Sequence, residues 1–274
     1  MEHESPEYEP TEYDLEQAER EAEEYEKFEE EYEKYGFPGQ SRDHFLKKIP
    51  PIIFKYRSLD TSKTIGRTLD IILNHRLYMP KAEKLNDPFE GLNIKYLSDK
   101  TIDDYKAIIE DYRVLALSEN CFSAPLWAHY AAEGNGLCLG FNTFGSFYEI
   151  KKIEYSDSID KLAWLDDNPY AAAELEYLYK NKEWSYENEY RIAEKGNGEK
   201  TQYFPYEESE LKTIIFGTGI DPIIKEIIKK IIPSTCKLFD IEADKNAKKY
   251  ILKKCDESDT KIKTLEDLYN SVLR

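Results

Sequence analysis

Negative charge is crowded into one end of this chain, and that divides the chain before any element is assigned. Residues 1–35 hold 16 Asp/Glu and 3 Lys/Arg, a net −13. The whole chain of 274 residues carries −17, so subtraction leaves −4 for residues 36–274. Residues 1–10 are acidic and contain Pro6 and Pro10, which predicts disorder. From Thr11, a candidate N-cap, the residues Leu15, Ala18, Ala22, Tyr25, Phe28, Tyr32 and Tyr35 recur at three- and four-residue spacing. That pattern predicts an apolar stripe on an acidic helix, ended by Gly36, Pro38 and Gly39. Like charges at i, i+4 oppose an isolated helix, so the arm needs a surface, its own domain or a partner protein. A solvated arm and a mimic of nucleic acid are the alternatives. The reading is therefore an acidic arm over 1–40 and a single α+β domain over 41–274.

The body is long enough to bury a core. Its near-neutral charge does not exclude a nucleic-acid substrate, although −17 for the whole chain would repel one if it were evenly spread. Cys121, Cys138, Cys236 and Cys255 form no C-x-x-C pair and have no clustered histidines, which argues against zinc and against a disulfide framework. The acidic start and short apolar runs predict no signal peptide and no membrane span, so a cytoplasmic location is the expectation.

Along the body, strands are predicted at 52–58, 114–118, 137–141, 150–155, 211–216 and 236–241, with a short extended piece at 77–80. Helices are predicted at 65–77, 101–112, 126–132, 168–182, 245–254 and 264–273. One more is expected from Pro222, capped by Asp221, with Ile223, Ile224, Ile227, Ile228, Ile231 and Ile232 as a core face. Asn86–Glu90, N-D-P-F-E, reads as a turn. Strands and helices do not alternate strictly, which favours α+β.

The chemistry gathers at Trp184–Arg191, W-S-Y-E-N-E-Y-R. Read as a strand, its period of two puts Glu187 and Glu189 on one side, roughly 6–7 Å apart. Two carboxylates so close repel unless a cation or polar group sits between them, which makes them a candidate site; a solvated edge strand is the alternative. Arg57 lies inside an apolar strand and calls for a partner, either one of these glutamates or a phosphate. Gly217-Thr218-Gly219 before a helix is either a phosphate cradle or a plain turn. Cys121 with His129 offers a thiol and a base, and Asp87, Glu90, Glu187 and Glu189 offer oxygen ligands to a hard metal ion in a nuclease.

Several blocks occur in one order: Tyr56-Arg57-Ser58, Asn86–Glu90, Leu117-Ser118-Glu119, Trp127–Ala131, Gly136–Phe141 and W-x-x-E-x-E-x-R over Trp184–Arg191. The series resembles the bacterial DUF2971 family, a domain of unknown function, over roughly Phe54 to Phe239. An Arg on a first strand, a Ser on a middle strand and Glu-x-Glu entering a late strand also resembles, more distantly, the R-S-E class of ADP-ribosyltransferases. Where that class usually carries Ser-Thr-Ser, this chain has Leu117-Ser118-Glu119. The resemblance implies a mixed, split β-sheet core flanked by helices, with NAD as substrate. It also implies an effector, a toxin or phage-defence component, that transfers ADP-ribose to a protein or nucleic acid. Glu189 would hold the ribose and Glu187 the acceptor. Arg57 would grip the pyrophosphate, Ser118 would support the glutamate or ribose, and Trp127 or Tyr130 would stack on nicotinamide. A non-catalytic nucleotide- or peptide-binding module is the remaining reading.

Overall fold

A computed structural model of the chain describes residues 12–37, 39–81, 84–85, 87, 99–156, 169–195, 202–255 and 261–274. Thr11, the first ten residues and most of the Asn86–Glu90 turn lie outside these. The chain divides into two compact units, Met1–Lys48 and Ile49–Arg274.

In the first unit, helix α1 (Glu12–Tyr35) and the short α2 (Arg42–Leu46) fold together. Phe28, Tyr32 and Phe45 pack ring against ring at 5.4–6.0 Å. Arg42 reaches back to Glu29 at 2.8 Å and donates to the Tyr25 hydroxyl. The aromatic stripe expected from the spacing thus finds part of its surface in α2, while Tyr25 and Tyr35 stay exposed.

The second unit is built on strands β1 (Ile52–Arg57), β2 (Arg76–Tyr78), β3 (Tyr112–Ser118), β4 (Leu137–Asn142), β5 (Lys151–Lys152), β6 (Glu154–Tyr155), β7 (Tyr179–Lys180), β8 (Glu189–Lys195), β9 (Tyr203–Pro205), β10 (Leu211–Phe216), β11 (Lys237–Asp244), β12 (Lys249–Lys254) and β13 (Lys261–Ile262). Its helices are α3 (Ser62–Asn74), α4 (Asp99–Asp111), α5 (Ala124–Tyr130), α6 (Pro169–Leu178), α7 (Pro222–Ile231) and α8 (Leu265–Leu273). Among the described residues, nine strands form one mixed sheet in the order β13-β12-β11-β10-β4-β1-β3-β8-β5. Neighbours are antiparallel except β10 and β11, which run parallel and are joined through α7, as a parallel crossover requires. The α+β class is as expected.

Alternation sorts the sheet into two faces. Ile53, Leu115, Leu117, Leu139, Phe141, Ile192, Ile214 and Phe216 form the main core with α3, α7 and the β2–β9 ribbon. On the opposite face, Val114 packs with Tyr105, Ile108, Ala173 and Tyr177 of α4 and α6. The sheet has one weak joint. β1 and β4 pair along six residues, but β1 meets β3 only at Phe54↔Ser118.

Several expectations need correction. Residues 245–254 are not a helix: Asp244 ends β11, accepts from the N–H groups of Asn246 and Ala247, and turns the chain into β12. An Asx turn followed by Tyr250-Ile251-Leu252 is hairpin chemistry, and the lysine spacing concealed it. The predicted 168–182 helix stops at Leu178, and Tyr179–Lys180 pairs with β6. α7 has the expected Asp221 cap and Pro222, yet Ile223 and Ile227 are 72% and 47% exposed. Six isoleucines make a stripe wider than the covering layer, so the inward side takes Ile224, Ile228 and Ile231. Among the described residues, no helix is long and apolar enough to cross a membrane.

A buried charge cluster as candidate functional site

The weak joint opens a cavity of about 230 Å³, lined by Phe54, Lys55 and Tyr56 of β1, Ala116 and Ser118 of β3, Leu126 and Tyr130 of α5, and Lys180, Glu187 and Glu189. Where β1 and β3 splay apart, a β3 carbonyl loses its strand partner. Lys55 supplies one, donating from Nζ to the Ala116 oxygen at 2.6 Å.

Opposite Lys55 lies a balanced set of charges. Lys180 Nζ is 2.7 Å from Glu187 Oε2 and 3.2 Å from Glu189 Oε2. Arg191 grips Glu189 through Nε at 2.6 Å and a terminal guanidinium nitrogen at 3.1 Å. Glu187 and Glu189 are 5% and 4% exposed, so neither charge would survive there unpaired. The Tyr130 hydroxyl donates to Glu187 Oε1 at 2.6 Å, and the Ser118 hydroxyl donates to the Glu187 carbonyl at 2.6 Å. The Lys180 ammonium sits 4.6 Å from the centre of the Trp184 ring, whose face supplies further negative potential. This accounts for the tryptophan of the W-S-Y-E-N-E-Y-R stretch.

Only half of that stretch is a strand. Lys182–Glu187 is a 3-10 helix, Asn188 is left-handed at φ 43, and β8 begins at Glu189. The two carboxylates therefore share a side because a tight turn aims Glu187 at Lys180, not because of a strand period. The alternation does operate one step later, where Glu189 and Arg191 stand i, i+2 on one face of β8. Register puts Ser118 directly across from Glu189 and Ala116 across from Arg191.

Burial disfavours the charged Glu189, but Arg191 and then Lys180 outweigh it and hold its carboxyl below the ordinary value. Burial likewise works against charged Lys180, and Glu189 and Glu187 reverse it, raising the ammonium. Tyr130 is pushed up, first by burial and then by its bond to Glu187. Lys55 goes the other way. Burial and then Arg57 lower it to about 8, against the pull of Glu189 and Glu187. The unfolded lysine holds its proton to its ordinary value near 10.4. Between about pH 8 and 10 the unfolded chain thus binds more protons, so Lys55 weakens the fold at neutral pH and releases that cost as pH rises. Stability of the wild type relative to Lys55→Met is expected to increase over that window. Paired denaturant titrations at about pH 7 and 10 check it, and a flat difference refutes it.

The other sequence candidates fall elsewhere. Arg57 does not line the cavity; its Nε faces Thr68 of α3 at 3.5 Å. Trp127 is 2% exposed, donates to the Cys121 carbonyl at 2.8 Å and packs edge-on to Tyr56, which makes it core, not a platform. Cys121 is buried and its thiol is pushed up by burial, while His129 is exposed beside Tyr130 and Tyr186. Gly217 and Gly219 spend their N–H groups on the carbonyls of Gly136 and Gly134, so this is a turn and not a cradle. A Cβ on Gly217 would strike the Gly134 carbonyl, which is why the close approach needs glycine. Asp87 is buried and Glu90 lies outside the described residues. Among the described residues no group of three or more His, Cys, Asp or Glu is gathered for a metal ion. Lys180 carries no direct signal in the sequence, because the 168–182 pattern predicts a helix there. Its signal was indirect, since two close carboxylates require cations. Arg191 stood in the motif without a role.

Residues 126–192 match the model of a family described as a protein of unknown function (DUF2971). The match runs from α5 into β8 and so includes Tyr130, Lys180, Glu187, Glu189 and Arg191, in keeping with the resemblance read from the sequence blocks. No curated protein and no solved structure matches the chain.

Proposed function

We propose that this chain is an ADP-ribosyltransferase-like enzyme that takes NAD at the β1–β3 joint and transfers ADP-ribose to a macromolecule. The observation that carries the reading is the strand order. β1, β3 and β8, which bear the three resembling motifs, are neighbours, and Ser118 pairs in register with both Phe54 and Glu189 beside the cavity. In such a reaction the C1′–N bond breaks and its electron pair leaves with nicotinamide. The acceptor nucleophile then bonds to C1′ and sheds its proton. Glu187, bonded to Tyr130 at the cavity wall, is the group suited to stabilise positive charge developing on the ribose. Glu189, locked to Arg191, positions Lys180 and through it Glu187. Lys55 and Lys84, both at the cavity, suit the phosphate-binding role that the resemblance gave Arg57.

Wild type is expected to melt higher with NAD and to release nicotinamide. Glu187→Gln, which keeps the shape but removes the charge and turns an amide N–H toward Tyr130 or Lys180, is expected to lower release by about 10²–10³-fold. Tyr130→Phe should lower it less and lower the melt without NAD by only a few degrees. Absence of both an NAD-dependent shift and free nicotinamide defeats the reading. One observation favours a second reading, a nucleotide-binding module without turnover: both oxygens of Glu189 are held by cations, as in a structural anchor. That module would be stabilised by NAD and release nothing.

A further inference from the structure

A second concavity of about 560 Å³ lies between the β11–β12 hairpin and the loop before α5. Among the described residues, Phe122, Ala124, Ala243, Asp244, Lys245, Lys248, Lys249, Tyr250 and Lys263 line it, four lysines against one carboxylate. In a chain with 55 Asp/Glu and 38 Lys/Arg, such a local excess runs against the average. Lys253 finds a partner in Glu242 at 2.7 Å, and Lys152 in Glu119 at 3.1 Å. Among the described residues, Lys245, Lys248, Lys249 and Lys263 are exposed and make no ion pair. Asp244 is the single carboxylate among these lining residues, and its Oδ1 accepts from the Asn246 and Ala247 N–H groups and closes the turn. Lys248 is held left-handed at φ 52, where Gly or Asn would cost less.

We propose that this concavity is a binding site for single-stranded nucleic acid. The lysines offer point charges to successive phosphates, and the half-buried rings of Phe122 and Tyr250 offer faces on which an unpaired base can stack. Rings within a concavity suit splayed bases better than a closed duplex, whose bases are already stacked. An acidic peptide would use the lysines and leave the rings idle. The site is separate from the charge cluster and independent of what reacts there.

The test is fluorescence anisotropy of a labelled oligothymidylate of about twelve nucleotides with the full chain, from about 50 to 200 mM salt. Four phosphate contacts predict a log–log salt slope of about −3. The triple variant Lys248→Gly, Lys249→Ser, Lys263→Ser keeps the left-handed turn. It is expected to bind about tenfold more weakly, with a slope shallower than about −1. Phe122→Leu should weaken binding with the slope unchanged. The proposal is overturned by no binding at the lowest salt, by variants that bind like wild type, or by a polyglutamate peptide of equal charge that competes as well as the unlabelled oligonucleotide. The readout does not involve NAD, so failure of the transferase reading leaves this result standing.

Discussion

Glu189→Gln is expected to lower the melting temperature of this protein by on the order of 10 °C. The carboxylate neutralises Arg191 through two bonds and shares Lys180 with Glu187, and all four side chains are at most 6% exposed. Removing one partner of such a buried set leaves an uncompensated cation, at a cost of about 3–5 kcal/mol. A domain of this size shifts by about 2–4 °C per kcal/mol, which gives the stated range. The amide also turns N–H donors toward groups that can only donate. The sign with pH follows from the depressed carboxyl: its contribution is present above the ordinary carboxylate value and lost as pH falls through the folded value. The gap between wild type and variant should therefore narrow from about pH 7 to about pH 3. Replacing Glu189 and Arg191 together by Met should recover much of the loss, since swapping a whole buried pair for apolar volume is often near neutral. If the single variant melts like wild type, the cluster is not a buried network.

Trp127→Ala is expected to cost about 3–5 kcal/mol through loss of a buried indole, with the Cys121 carbonyl left without its donor. The urea midpoint should fall with the slope nearly unchanged. This experiment separates two roles for one residue. A nicotinamide platform would be a partly exposed ring, and its loss would weaken NAD binding while sparing stability. A core indole packed edge-on against Tyr56, at 5.3 Å between centroids, does the reverse. A variant of wild-type stability that no longer binds NAD would restore the platform.

The difference between these residues explains what could be read in advance. Helix α1, the strands at 52–57, 112–118, 137–142 and 211–216, and the Asp221–Pro222 start of α7 were legible because short-range physics specifies each one. The hairpin at 244–249 was missed although its Asx signal is equally local, because the lysines imitate a helical period. The sequence points to Arg57 as a site residue and gives no sign of Lys55. The two occupy the same face of one strand, and only the splay of β1 from β3 sends Lys55 into the cavity while Arg57 meets Thr68 on α3.

The amino-acid sequence by itself determined the class of the fold, the acidic arm, most of the elements and the need of two close carboxylates, Glu187 and Glu189, for cations between them. Tertiary structure alone decided what those glutamates meet. Lys180 comes from a short strand that pairs with β6, and a left-handed Asn188 sets the angle between Glu187 and Glu189. Local sequence carries a residue's own backbone preference. It does not carry the register of strands distant along the chain, and in this protein register and one weak strand joint set the distances within the charge cluster.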